Sequence, residues 1–332
     1  MKLTVAIPTY NRAKRLEKAL MDLLAEINLA SNKAAVAVYV SNNGSTDGTA
    51  EVIAQCSKLF IKDGIPFYSS AFESNQGFDI NVLACYTGGK GEYIWFLSDD
   101  DNIISGAIDA IISDIDEYRP SVIFYNHDQE PYDRARPYIK EAEYFDQIDD
   151  ENVIALQKIV RWPKLTALVI KNCEAGMQII NQVHDFAHVA LALQCGLSVG
   201  GVLHSPVFTA YPDNDYRDHI DFVPYIGNSL DIPIRLVLHA NDKMSLYGQL
   251  ALPYADPLIS CLNTLGAYYR GRHLLTLSLK REIWKTVRCE IRSGWIKRLR
   301  NFGAVKELVK FPISLAYGIG YSLIRRKSTN ES

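Results

Sequence analysis

The sequence predicts an α/β fold: a mainly parallel sheet flanked by helices, followed by a helical C-terminal extension. Three observations support this. Short apolar runs alternate with stretches of helical spacing, and such alternation implies parallel strands joined by right-handed crossovers. The apolar runs show little polar alternation, as strands covered on both faces do. Beyond about residue 223 the strand-like runs stop and helical spacing takes over.

Taken in order, Leu3 to Pro8 reads as a buried strand ended by proline. Residues 12–29 place Leu16, Leu20, Leu23, Leu24 and Ile27 on one helical face. Ala35 to Val40 is a second strand, closed by the turn cluster SNNGSTDGT. A helix over 46–57 and a short strand over Ile65 to Ser69 follow. Asp79 to Thr87 reads as a helix and Tyr93 to Leu97 as a wholly apolar strand. Then come a helix over Ser105 to Tyr118 and a strand over Ser121 to Tyr125. Residues 127–150, rich in Asp, Pro and Tyr, read as a long surface excursion. Leu165 to Lys171 is a strand, and Asp185 to Cys195 a helix stopped by Gly196. Val199 to Leu203 and Val207 to Tyr211 are the last strands.

The 332 residues suit one large domain or two ordinary ones, and 48% apolar with 22% charged residues is ordinary for a globular protein. There is no repeat or low-complexity tract. The net charge of −3 argues against a general nucleic-acid binder. It also hides a split: Arg270 to Lys327 hold 15 Lys+Arg against 3 Asp+Glu. The six cysteines are scattered, without CxxC or zinc spacing, which fits a reducing, cytoplasmic setting. The N-terminus shows no signal-peptide pattern. The uncharged run Phe311 to Ile324 has 14 residues, short of the roughly 20 a spanning helix needs.

Four clusters bear on chemistry. Pro8-Thr9-Tyr10-Asn11-Arg12 follows the first strand and opens a helix. Ligands of open α/β sheets bind at the carboxyl ends of strands, and a helix N-terminus with an arginine suits phosphate. A plain strand-to-helix turn would read the same way. The second cluster, Ser41 to Thr49, contains Asn42, whose amide can both donate to and accept from a nucleobase edge. A tight capped loop is the alternative. The third, Asn75-Gln76-Gly77-Phe78-Asp79, has a glycine that would let a backbone approach a ligand. The fourth is the sharpest: Ser98-Asp99-Asp100-Asp101 directly after the strand YIWFL. Three carboxylates at the end of a buried strand call for a cation, and hard ions such as Mg²⁺ or Mn²⁺ bridge carboxylates to phosphates. An acidic helix cap is the alternative.

In this order the segments AIPTYNR, SNNGSTDGT, NQGFD and GEYIWFLSDDD resemble the family 2 glycosyltransferases of the GT-A fold. The resemblance covers roughly residues 1–215, and NxGxDxN followed by YIWFLSDDD is most similar to the branch that builds bacterial surface polysaccharide, including abequosyltransferase-like O-antigen enzymes. It implies that Pro8, Thr9, Tyr10 and Arg12 line a nucleotide-sugar site, with Asn42 against the base and Asn75, Gly77 and Asp79 nearby. Asp99 to Asp101 would be the DXD-type motif: Asp101 and Asp99 as ligands to Mn²⁺ or Mg²⁺, Asp100 near the ribose or the metal. Two positions depart from the pattern. Asn42 and Asn43 stand where many relatives carry an Asp pair, and Ser98 where many carry an Asp. The first leaves the base less determined; the second leaves the DXD register open by one residue.

An inverting transferase needs a general base to deprotonate the acceptor hydroxyl. The resemblance places it at the start of a helix, where His184-Asp185 stands, so Asp185 is expected as base. An N-cap role is its alternative. His184 and His188 are candidates for positioning it or a phosphate. Trp162, with Arg161 and Lys164, is a candidate acceptor contact, and a plain surface loop is the alternative.

From Ile283 onwards Trp284, Val287, Ile291, Trp295, Leu299 and Phe302 recur at helical spacing among cations, the pattern of an interfacial membrane helix; a helical subdomain packing on the catalytic core or on a second protomer is the alternative. The expected organisation is a catalytic domain over 1–222, its nucleotide-sugar half near 1–104 and its acceptor half near 105–222, then a basic, helical, membrane-associating region over 223–332. The expected partners are a nucleotide-diphosphate sugar, a glycan acceptor carried on a polyprenyl lipid and an anionic membrane surface. The expected location is peripheral, on the cytoplasmic face of the inner membrane. The rival readings are a sugar-phosphate nucleotidyltransferase, which would show a Gly-rich N-terminal loop, and a non-catalytic glycan-binding protein on a transferase fold.

Overall fold

The computed structural model describes residues 1–127, 139–149, 151–161, 163–181, 186–212, 231–243, 246 and 250. The chain divides into two compact units, Met1–Ile220 and Asp221–Ser332. The basic segment from Arg270 and the run from Ile283 lie outside the described residues. In the second unit the described helix is Asp231–Ala240, α8. No helix among the described residues is long and apolar enough to cross a membrane.

The first unit is built on one mixed sheet. Its strands are β1 (Leu3–Thr9), β2 (Val36–Asn42), β3 (Phe67–Ala71), β4 (Tyr93–Phe96), β5 (Asp101–Ile103), β6 (Val122–His127), β7 (Glu143–Phe145), β8 (Leu168–Lys171) and β9 (Val202–Pro212). Its helices are α1 (Ala13–Leu29), α2 (Thr49–Lys62), α3 (Phe78–Gly88), α4 (Ala107–Tyr118), α5 (Ile154–Arg161), α6 (Glu174–Met177) and α7 (Ala187–Val199). The strand order is β3-β2-β1-β4-β8-β6-β9-β5, with β7 also on β9. The half β3-β2-β1-β4 is parallel throughout, as the sequence predicts. Beyond it β8 inserts antiparallel between β4 and β6, and β5 and β7 pair antiparallel with β9. The second half is therefore mixed.

β1 and β2 are buried at every residue, and β4 is too. That is why they lack polar alternation: helices cover both faces. On one face, alternate residues Leu3, Val5, Ile7, Val36, Val38 and Val40 meet Leu16, Leu20 and Leu23 of α1, Phe60 of α2 and Ile111 of α4 in one core. On the other face α3 packs against β1 and β2, and α7 against β8. Every residue of α7 from Ala187 to Leu197 is buried, so its apolar pattern runs all round rather than along a stripe.

Several boundaries differ from the expectation for local reasons. α2 starts at Thr49 rather than 46, because Asp47 accepts a hydrogen bond from the Thr49 amide (3.0 Å) and holds the preceding turn. The two expected strands after α7 are one, β9, whose pairing with β6 shifts register at Tyr125 to His127. Within the expected surface excursion lies β7, and α5, which the sequence reading passed over, follows it. Residues 128–138 lie outside the described residues.

Two helices begin on a left-handed residue with no capping side chain of their own: Gly106 before α4 and Phe186 before α7. Each takes a side-chain oxygen from a distant helix instead. Glu26 Oε1 accepts from the Ile108 amide at 3.2 Å, and Asp79 Oδ1 accepts from the Ala187 amide at 2.8 Å. These remote acceptors satisfy amide groups that a helix leaves unpaired at its start.

His188 lies in the first turn of α7 and is 3% exposed. Its Nε2 faces the Pro163 carbonyl at 2.9 Å and must donate to it, while Nδ1 has no hydrogen-bond partner among the described residues. Burial, against the pull of that carbonyl, lowers its pKa to about 4. The imidazole is therefore a neutral structural group. Between its folded value and the ordinary value of 6.5 the unfolded chain holds the extra proton. Stability present near neutrality is thus lost as pH falls through that window, by about 3 kcal/mol in total. Urea denaturation at pH 7, 6, 5 and 4 is expected to show this decline, with a shallower one in His188→Gln.

Candidate functional site

The site forms where β1, β2 and β4 end side by side. Thr9 pairs in register with Asn42, and Ala6 with Phe96, so the residues after each strand meet at one sheet edge. This is the carboxyl edge of parallel strands, where open α/β sheets bind ligands.

Asp99 stands at the centre. It accepts from the Thr9 hydroxyl at 2.7 Å and from Arg12 Nη1 at 2.7 Å. The same Arg12 nitrogen donates to Asp100 Oδ2 at 2.9 Å. The Ser98 hydroxyl donates to the other oxygen of Asp100, and Arg15 approaches the Oδ2 side at 3.9 Å. The Asp99 side chain is 3% exposed and that of Arg12 33%. Burial pushes the Asp99 carboxyl above its ordinary range, against the pull of Arg12 and Thr9. This carboxylate therefore depends on a nearby cation. Burial also works against the Arg12 charge, but Asp99 and Asp100 together outweigh it and hold the guanidinium protonated.

Two hard oxygen donors thus converge on one cationic point, the chemistry a divalent ion requires. Among the described residues no three His, Cys, Asp or Glu side chains are grouped to hold a metal. One or two carboxylates completed by substrate phosphates are the usual arrangement for Mg²⁺, and the donor set fits it.

Asp101 points elsewhere. It begins β5, opposite Pro212 of β9, and accepts from the Thr166 hydroxyl, with His127 Nε2 at 3.2 Å. Burial raises its pKa, but His127, Thr166 and the field of Lys164 outweigh that and hold the carboxyl below its ordinary range. Thr166 also accepts from the Ser98 amide (3.0 Å), and its carbonyl accepts from Trp95 Nε1 (2.9 Å). The acidic run is thereby tied to the segment before β8. Sequence reasoning missed Thr166 and His127, which lie 65 and 26 positions from Asp101. No local motif marks them.

The asparagine-rich turns build a second wall. Asn42 is buried, and its Oδ1 accepts from the Ser45 amide at 3.0 Å. Asn43 reaches across: its Nδ2 donates to Asn75 Oδ1 (2.9 Å) and to the Gly77 carbonyl (3.1 Å), and its Oδ1 accepts from the Gln76 amide (2.8 Å). Asn75 Oδ1 also accepts from the Gly77 amide at 2.9 Å. Gly44 has φ +70°, and a Cβ there would lie 2.5 Å from the Ser74 backbone, so only glycine allows this approach. Asn81 Nδ2 donates to the Thr9 carbonyl at 3.3 Å, pinning α3 to the end of β1.

Of the expected residues, the structure brings together Thr9, Arg12, Asp99 and Asp100, with Pro8 buried in β1 and Tyr10 exposed beside them. Asn42, Asn75 and Gly77 adjoin them in the asparagine wall. Asp79 is turned to the start of α7. Trp162, His184 and Asp185 lie outside the described residues.

Comparison with known proteins places this architecture. Two curated relatives match about a third of the chain and of their own length. The GalNAc(5)-diNAcBac-PP-undecaprenol β-1,3-glucosyltransferase of Campylobacter jejuni is 29% identical over 116 residues, 35% of each chain. The abequosyltransferase RfbV of Salmonella typhimurium is 31% identical over 109 residues, 32% of this chain and 31% of that one. Among solved structures, S. aureus TarS 1-349 superposes with a TM-score of 0.58 at 16% identity, covering 89% of both chains. The mannosyltransferase PcManGT of Pyrobaculum calidifontis, in complex with GDP-Man and Mn²⁺, gives 0.54 at 15% identity, covering 90% of this chain and 87% of that one. These likenesses identify the GT-A fold. The family model "Glycosyl transferase family 2" matches residues 4–170, and the chain belongs to that family.

Proposed function

We propose that the protein transfers a sugar from a nucleotide-diphosphate sugar to a hydroxyl of a lipid-linked glycan during surface-polysaccharide synthesis, with inversion at the anomeric carbon. The observation that carries this reading is the convergence of Thr9, Arg12, Asp99 and Asp100 at the carboxyl edge of β1 and β4. Family membership, and a relative whose name includes an undecaprenol-linked acceptor, support the donor class and the acceptor class.

In this mechanism Asn42 faces the base, Tyr10 and Pro8 border the nucleoside, and Arg12 meets the diphosphate at the start of α1. Asn75 and Gly77 bring backbone close to the sugar. Asp99 and Asp100 would hold Mn²⁺ or Mg²⁺, while Asp101, expected as a ligand, is turned to Thr166 and His127. The ion, when bound, supplies neutralisation of the leaving diphosphate. Asp185 takes the proton of the acceptor hydroxyl as that oxygen attacks the anomeric carbon, and nucleoside diphosphate leaves. His184 and Trp162 border the acceptor. The basic region from Arg270 to Lys327 holds the enzyme on the anionic cytoplasmic face of the membrane.

Turnover tests the reaction. A panel of nucleotide sugars, supplied with Mn²⁺ or Mg²⁺ and a polyprenyl-diphosphate-linked oligosaccharide, is expected to yield one donor from which nucleoside diphosphate is released. Asp185→Ala is expected to lower kcat about 10²–10⁴-fold, and Asp99→Ala and Asp100→Ala to abolish the metal-dependent rate. Full turnover in these variants would remove the residue assignments. Pyrophosphate as the product would favour a nucleotidyltransferase, and glycan binding without turnover a non-catalytic protein. Membrane association has its own check, co-sedimentation with phosphatidylglycerol vesicles. Binding at low salt that is released by high salt is expected; equal recovery with neutral vesicles contradicts it.

A further inference from the structure

Asp79 has a structural position that a donor contact does not require. It is the second residue of α3, directly after the loop Asn75–Gly77 that Asn43 holds to the end of β2. Its Oδ1 accepts from the amide of Ala187, 108 positions away, at 2.8 Å. Ala187 is the first residue of α7, and Phe186 before it lies at φ 51° and ψ 49°. A phenylalanine in the left-handed region is strained, so its surroundings must over-determine that conformation. Here they include the Asp79 bond and a layer of rings. Phe78 stands edge-on to His188, with centroids 6.1 Å apart, and Phe186 lies 6.0 Å from the same imidazole. α3 is itself pinned to β1 through Asn81 and the Thr9 carbonyl. A continuous path of hydrogen bonds and packing therefore runs from the donor edge of the sheet to the entry of α7.

We infer that Asp79 is a positioning residue for sugar transfer: by capping α7 from α3 it holds the left-handed turn at Phe186, and with it the backbone next to Asp185. The inference rests on the reading that the segment entering α7 supplies the base. What the arrangement needs from residue 79 is an acceptor oxygen at the Ala187 amide. A negative charge adds to the helix dipole but is secondary to that bond.

The pair Asp79→Ala and Asp79→Asn tests this, assayed for nucleoside diphosphate release with the donor and acceptor found in the turnover panel. Asp79→Ala removes the acceptor and is expected to lower kcat about 100-fold, with the donor KM and nucleoside diphosphate affinity nearly unchanged. Asp79→Asn keeps an oxygen in the same place and is expected to restore most of kcat. Wild-type kcat in Asp79→Ala would overturn the inference. So would an Asp79→Asn variant as impaired as Asp79→Ala with a raised donor KM, since that marks a charged donor contact. Asp79→Asn also guards against misfolding of the alanine variant. Asp185→Asn, measured alongside, separates the two readings. An inactive Asp185→Asn with a fully active Asp79→Ala overturns the positioning role alone. An active Asp185→Asn, with Asp79→Ala impaired and Asp79→Asn restored, overturns Asp185 as base alone.

Discussion

Burying a carboxylate at the end of a hydrophobic strand is the constraint on which the site depends. Asp99 is almost wholly removed from water after the apolar strand β4. An isolated charge there would be very costly, so the neighbouring chain must bring it a cation and a hydroxyl. Both come from β1 and the turn after it, as Arg12 and Thr9. The parallel register of β1 with β4 is what lets them arrive together. Replacing either partner would leave the buried anion uncompensated, which weighs far more than the loss of an exposed ion pair. The need for positive charge at this point matches the proposed function, in which a diphosphate leaving group would present anions to Arg12 and share a divalent ion with the carboxylates.

Around this centre the fold uses side-chain amides and acceptors from distant helices. Asn43 fastens the loop Asn75–Gly77, and Asn42 closes its own turn. Glu26 and Asp79 supply the starts of α4 and α7, which have no cap of their own. Such bonds join elements distant in sequence, so they set the relative placement of helices as well as satisfying buried amides. The Thr166 hydroxyl has a similar place. It accepts from Ser98 and donates to Asp101, which ties the acidic run to the segment before β8.

Much of the parallel half was legible in the sequence because its signals are local. Unbroken apolar runs marked β1, β2 and β4, and the period of Leu16, Leu20 and Leu23 marked α1. The clustering of Thr9, Arg12, Asp99 and Asp100 followed from strand ends meeting at one edge. What was not legible depends on long-range pairing. β5 takes residues that read as an acidic turn, and it is a strand because β9 offers an edge to it. β8 runs antiparallel between β4 and β6, a placement that its own residues do not encode. Asp101 is separated from Asp99 by this β5–β9 pairing and by His127 and Thr166. Asp79 reads as a donor contact only through the family resemblance of NQGFD; its bond to Ala187 is visible only when α3 and α7 are packed together.

In the proposed function, the edge formed by Thr9, Arg12, Asp99 and Asp100 receives a nucleoside diphosphate together with a divalent cation. Thermal unfolding with UDP, GDP, CDP and dTDP, each with and without Mn²⁺, measures this directly, because a ligand bound to the native state raises its apparent stability. One nucleoside diphosphate is expected to raise Tm, Mn²⁺ to enlarge the shift, and Asp99→Ala to remove the Mn²⁺-dependent part. No shift with any of the four, or a shift that persists unchanged in Asp99→Ala, would contradict it.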